Sequence, residues 1–106
     1  MTATISLAEF ISRYHDGAML IDVREPDEYA AGHVPGAILA PMSSIEDHLA
    51  DIPRGEDVFV ICHSGRRSLA TVSLMRCHGI RAISVDEGTA GWIAAGQTVV
   101  REEPTA

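Results

Sequence analysis

Apolar positions along the chain switch repeatedly between a helical and an extended period. Ser6-Leu7-Ala8-Glu9 has the pattern of a helix-capping box, with Ile5 placed as its hydrophobic staple. Leu7, Phe10, Ile11 and Tyr14 then recur at helical spacing, which predicts a first helix running to Gly17. Met19 to Val23 is a short apolar run bounded by turn signals, the pattern of a strand buried on both faces. Pro26 suits the first turn of a second helix, Asp27 and Glu28 complement its dipole, and Gly32 ends it. Pro35-Gly36 marks a turn, and Ala37 to Leu39 reads as a very short strand closed by Pro41. Ser43-Ser44-Ile45-Glu46 is another capping-box pattern; Ile45, Leu49 and Ile52 would share one face of a helix that Pro53 stops. Val58 to Ile61 is β-branched or aromatic throughout and predicts a strand. A helix carrying Leu69, Val72, Leu74 and Met75 follows and ends at Gly79, then a strand at Ala82 to Val85 and a short helix from Thr89 to Ala95. Trp92 and the Leu and Met positions at helical spacing read as core. Strands alternating with helices over short connections imply an α/β fold, its mostly parallel sheet covered on both faces. In such sheets chemistry sits beyond the carboxyl ends of the strands.

Composition narrows the class. With 106 residues the chain is expected to form a single domain, its core spanning about residues 4–100 and its last residues, 101–106, a frayed tail. The apolar fraction of 46% and charged fraction of 22% are ordinary globular usage. No apolar run approaches the roughly 18 residues of a membrane span, and Met1-Thr2-Ala3-Thr4 lacks the start of a signal peptide, so a cytoplasmic location is expected. A net charge of −7 disfavours nucleic acid and anionic membranes as partners. All eight basic residues are arginine, which removes lysine Schiff-base chemistry and the lysine of a phosphate-binding Walker loop. Two cysteines are too few for a disulfide scaffold.

The chemistry concentrates in Cys62-His63-Ser64-Gly65-Arg66-Arg67-Ser68, which leaves the strongest strand and runs into a helix. Successive amides and the helix N-terminus form an anion-binding concavity facing the cysteine sulfur, and Gly65 permits the tight backbone. Positive helix-end charge and two arginines lower a thiol's pKa, making Cys62 a candidate nucleophile. Arg66 and Arg67 can hold an anionic substrate through two-pronged hydrogen bonds. A purely structural cysteine at a strand end is the competing reading, but it has no use for a glycine and paired arginines within five positions. His63 is either a base or a solvated loop histidine, and the second is favoured. From Cys62 to Arg81 there are four arginines and no acidic residue, a positive island in an acidic chain that suits a small anion. Cys77 is expected to be packed and inert, because helical rise separates it from Cys62 by roughly 15 Å, beyond the ~7 Å limit for a disulfide. A metal site of Cys62, Cys77 and His78 fails for the same reason, so no metal is expected.

In its order of motifs the sequence resembles the rhodanese-like (thiosulfate sulfurtransferase) family in its single-domain form. The resemblance rests on Leu20-Ile21-Asp22-Val23-Arg24-Glu25-Pro26 with Glu28-Tyr29, on Gly32-His33-Val34-Pro35-Gly36-Ala37, on the Cys62 loop, and on Gly88 with Trp92. It implies a five-stranded parallel sheet with helices on both faces, which supports strands near Thr4 and Ile38. It also implies that Cys62 carries a sulfane sulfur as a persulfide, taken from thiosulfate or a similar small anionic donor without a cofactor. The loop residues His63, Ser64, Gly65, Arg66, Arg67 and Ser68 would bind substrate and persulfide, and the acceptor would be cyanide, a small thiol or a thioredoxin-like protein. The alternative is a sulfur-relay or binding module serving a dedicated partner. Related cysteine phosphatases use Cys-x5-Arg, which would put the arginine at position 68, whereas that residue is Ser68 and the spacing here is Cys-x4-Arg. Phosphatase or arsenate-reductase chemistry is therefore disfavoured. Asp22 and Arg24 are expected to brace the loop, since a carboxylate beside a thiolate opposes its ionisation. His33 is expected to make a structural hydrogen bond. One departure from the family stands out: Glu87 replaces the first of two glycines before the tryptophan, which strains the chain if that turn is left-handed.

Overall fold

The computed structural model describes residues 4–14 and 17–102. Five strands, β1 (Thr4–Ile5), β2 (Met19–Asp22), β3 (Ile38–Leu39), β4 (Asp57–Ile61) and β5 (Arg81–Val85), form one sheet in the order β1-β5-β4-β2-β3. Every pairing is parallel, so each connection crosses a face of the sheet. Helices α1 (Leu7–Arg13), α2 (Pro26–Ala31) and α3 (Arg66–Cys77) make the β1–β2, β2–β3 and β4–β5 crossings, a 3₁₀ segment makes the β3–β4 crossing, and α4 (Gly88–Ala94) follows the last strand.

Side chains alternate along each strand, and that alternation splits the core in two. On one face, Ile21, Val58, Val60 and Ala82 pack with Val72 and Met75 of α3 and with Ile45, Leu49 and Ile52. On the other, Leu20, Phe59, Ile61 and Val85 meet Leu7 and Phe10 of α1 and Trp92 of α4, with Tyr29 of α2 at the margin. No helix among the described residues is long and apolar enough to cross a membrane.

Four expectations change. The first helix ends at Arg13 rather than at Gly17: Ser6 caps it by accepting the Glu9 N–H at 3.2 Å, and Tyr14 is already extended. Gly17 lies beyond His15 and Asp16, which fall outside the described residues. The helix expected after Ser43 is instead two 3₁₀ segments, Met42–Asp47 and Leu49–Asp51, the first of them kinked where Ser44 leaves helical geometry (φ −132°). The apolar face of Ile45, Leu49 and Ile52 is nevertheless buried, and Ser43 donates its hydroxyl to the Glu25 carboxylate rather than capping a helix. Leu69, read as core, points to solvent at 47% exposure. Finally, Arg101 and Glu102, expected in a frayed tail, bond to the end of α2: Arg101 donates to the Ala31 carbonyl at 3.2 Å, and Glu102 N–H to that of Ala30 at 2.9 Å. The remainder of that tail, 103–106, lies outside the described residues.

Candidate active site

Cys62 is the first residue beyond the carboxyl end of β4, on the face that α3 covers, and is 1% exposed. Gly65 adopts φ 102°, a left-handed backbone that turns the loop into the first turn of α3. That turn aims amides back at the sulfur: the Gly65 N–H lies 3.0 Å from Cys62 Sγ, and Ser68 Oγ lies 3.4 Å away. Burial pushes the thiol pKa up, but the Ser68 hydroxyl and the amides of Ser68, Gly65 and Ser64 outweigh it, so the group titrates below an ordinary cysteine.

The carbonyls behind the sulfur are pinned as firmly. Thr89 N–H donates to the Cys62 carbonyl at 2.8 Å and Ala90 N–H to that of His63 at 3.0 Å, so the loop satisfies the first amides of α4. Close approach requires Gly88, since a Cβ there would sit 2.5 Å from the Cys62 oxygen and 2.6 Å from that of His63. Glu87, immediately before it, has φ 66°, the only positive φ of a non-glycine among the described residues. The turn is thus left-handed, and the family's missing glycine leaves real backbone strain at Glu87.

The two arginines differ. Arg67, expected to grip an anionic substrate, already grips Glu28 of α2 through two parallel bonds of 2.7 and 2.8 Å. The Arg67 guanidinium holds the Glu28 carboxyl down at about 2, and Arg67 is itself held more firmly charged, by Glu28 first and more weakly by the Cys62 thiolate. Arg67 therefore lends positive charge to the site while its bidentate edge is occupied. Arg66 is exposed, and its side chain forms no hydrogen bond or ion pair among the described residues. His63 and Ser64 are exposed. Asp22 and Arg24, expected to brace the loop, are buried against each other at 2.9 Å, and Arg24 donates onward to the Gly32 carbonyl at 2.8 Å. They secure the end of α2 rather than bonding the loop itself. His33 shares a 2.8 Å hydrogen bond between Nδ1 and the Tyr29 carbonyl and stacks on the Tyr29 ring. Cys77, expected to be packed, is exposed at the last turn of α3.

Two residues of this site escaped the sequence reading. Glu28 lies 39 positions from Arg67, and only its place in the Glu28-Tyr29 motif hinted at it. Ser84 is buried in β5 with its hydroxyl 2.8 Å from that of Ser68, hidden in a run that reads as apolar strand.

The family model of the rhodanese-like domain matches residues 6–95. A sulfurtransferase of Allochromatium vinosum is 31% identical, the match covering 92% of each chain. An HTH-type transcriptional regulator of Mycobacterium tuberculosis is 34% identical over 94% of this chain but 46% of its own length. Bacillus subtilis YrkF is likewise longer, this chain matching 40% of it at 34% identity. Among solved structures, the rhodanese-related protein of Thermoplasma volcanium superposes with a TM-score of 0.85 at 30% identity, covering 92% of this chain and 96% of that one. A match that runs through every element from α1 to α4 leaves one assignment: the chain belongs to the rhodanese-like domain family.

Proposed function

We propose that the domain is a sulfurtransferase that carries a sulfane sulfur on Cys62. The observation that supports this reading most directly is the Cys62 sulfur itself, buried at the end of β4 with the Gly65 amide at 3.0 Å and the Ser68 hydroxyl at 3.4 Å. Such donors favour an anionic sulfur, which is the reactive form. In the first half-reaction the Cys62 thiolate attacks the outer sulfur of thiosulfate. The new S–S bond forms as the old one breaks, and sulfite leaves with the bonding electron pair. The terminal sulfur of the persulfide keeps a negative charge, and the loop amides from His63 to Ser68 stabilise it. In the second half-reaction a thiophilic acceptor attacks that outer sulfur and releases the Cys62 thiolate.

Arg66 is the cation best suited to meet the incoming dianion, since Arg67 spends its two-pronged edge on Glu28. That same pairing weighs against phosphatase chemistry, which needs a guanidinium free to bind a tetrahedral anion. The 31% identity with a sulfurtransferase of A. vinosum over 92% of both chains supports sulfur transfer as the reaction class. Steady-state kinetics with thiosulfate and cyanide test the scheme: two half-reactions sharing a covalent intermediate produce parallel double-reciprocal lines. Intersecting lines would overturn it. Replacing cyanide with a reduced thioredoxin-like protein distinguishes turnover on small acceptors from relay to a protein thiol.

A further inference from the structure

β4 and β5 are adjacent, and their register pairs Val60 with Ser84. Alternation therefore puts Ser84 and Cys62 on the same face of the sheet, under the first turns of α3. A hydroxyl in that apolar layer requires a partner, and Ser84 is 1% exposed. The partner is Ser68, with the two oxygens 2.8 Å apart. Ser68 Oγ in turn lies 3.4 Å from Cys62 Sγ and 3.2 Å from the Gly65 carbonyl oxygen. Three side chains, from the residue just beyond β4, from α3 and from β5, thus form one chain of contacts ending on the sulfur.

The direction of the protons follows from counting donors. Each serine carries one hydroxyl hydrogen. Ser84 Oγ has no partner among the described residues other than Ser68 Oγ, so its hydrogen has one acceptor available. Were Ser68 the donor in that pair, the Ser84 hydrogen would be buried without an acceptor, and Cys62 would lose the Ser68 hydrogen as well. With Ser84 donating, Ser68 keeps its hydrogen for either the Gly65 carbonyl or the sulfur. When Cys62 is a thiol it donates to Ser68 Oγ, and the Ser68 hydrogen rests on the Gly65 carbonyl. When Cys62 ionises it becomes an acceptor only, and the Ser68 hydrogen swings to it.

We propose that Ser84 is a positioning residue for Cys62: its hydroxyl donates to Ser68 Oγ and so presents the Ser68 hydrogen to the thiolate. A donor behind Ser68 also polarises its O–H bond, strengthening the contact with an anionic sulfur. The proposal rests on the reading of Cys62 as a thiolate nucleophile, but not on any particular sulfur donor.

The test is the pH dependence of Cys62 alkylation by iodoacetamide, in a Cys77→Ser background because Cys77 is exposed. Ser84→Ala should raise the midpoint by about one pH unit, a tenfold loss in acid constant, while Ser84→Thr, which keeps the hydroxyl, should restore it. In a Ser68→Ala background the same Ser84→Ala change should shift nothing further, since the path through Ser68 is already cut. An unshifted midpoint in folded Ser84→Ala overturns the proposal, as does an equal shift without Ser68. No sulfur donor enters the assay, so failure of sulfur transfer and failure of the relay are read separately; thermal unfolding of the same variants separates lost stability from a moved midpoint.

Discussion

Glu28→Gln tests how the Arg67 side chain is held, and its size can be worked from the contacts. Glutamine keeps the oxygen that accepts the Glu25 N–H at 3.1 Å, so the start of α2 stays capped. What it removes is the charge, together with the Oε2 acceptor of the 2.8 Å bond from Arg67, which an amide NH₂ replaces, leaving the 2.7 Å bond at Oε1. A carboxyl lowered from 4.5 to about 2 would correspond to several kcal/mol if fully buried. The two side chains are 33% and 36% exposed, however, and solvent screening reduces the pair to about 1 kcal/mol. That is a fall in Tm of about 4 °C at neutral pH for a domain of this size. Because the folded carboxyl titrates below the unfolded one, this stability is fully present above about pH 4.5 and is lost as pH falls toward 2. Thermal unfolding of the wild type and Glu28→Gln from pH 7 down to pH 3 should therefore show a gap that closes by more than half at the acid end. A gap that is absent at pH 7, or that persists unchanged at pH 3, would refute the ion-pair account.

Three further outcomes follow from the site geometry. Gly88→Ala combines a left-handed backbone costing ~1–2 kcal/mol with a collision against the Cys62 and His63 carbonyls costing ~1–3 kcal/mol; a Tm within a few degrees of wild type would contradict the close approach. Glu87→Gly releases the strain at φ 66° against a smaller flexibility cost, a net gain of about 0.5–1 kcal/mol visible as a raised Tm in calorimetry. Arg66→Ala should raise the KM for thiosulfate about tenfold, with kcat little changed and a flatter dependence on ionic strength; an unchanged KM would return the anion-binding role to Arg67.

How far the sequence discloses the molecule depends on the range of each interaction. Buried strands announce themselves through local apolar runs, and Met19–Asp22, Asp57–Ile61 and Arg81–Val85 lie where those runs fall. The nucleophile loop is equally local, because a strand, a glycine and a helix start must follow one another in the chain. The segment after Pro41 misleads because a capping-box pattern and an apolar stripe fit a helix and 3₁₀ turns alike, and the difference shows in the backbone, where Ser44 leaves helical geometry. Leu69 keeps helical spacing yet lies on the solvent side of α3, since periodicity sets a face only relative to packing. The pairing of Glu28 with Arg67 and of Ser84 with Ser68 depends on how α2, α3 and β5 come together in space. Neither contact has a signature in residue type alone. Glu87 is the opposite case: the family pattern located the strain, and the backbone carries it.

The central claim is that Cys62 holds a transferable sulfur. Intact-mass spectrometry of the protein after thiosulfate treatment reads this directly. The account predicts one added sulfur atom on the wild type and on Cys77→Ser, its removal by cyanide, and no adduct on Cys62→Ser. A wild-type protein that gains no sulfur, or a Cys62→Ser protein that gains it equally, would contradict the account.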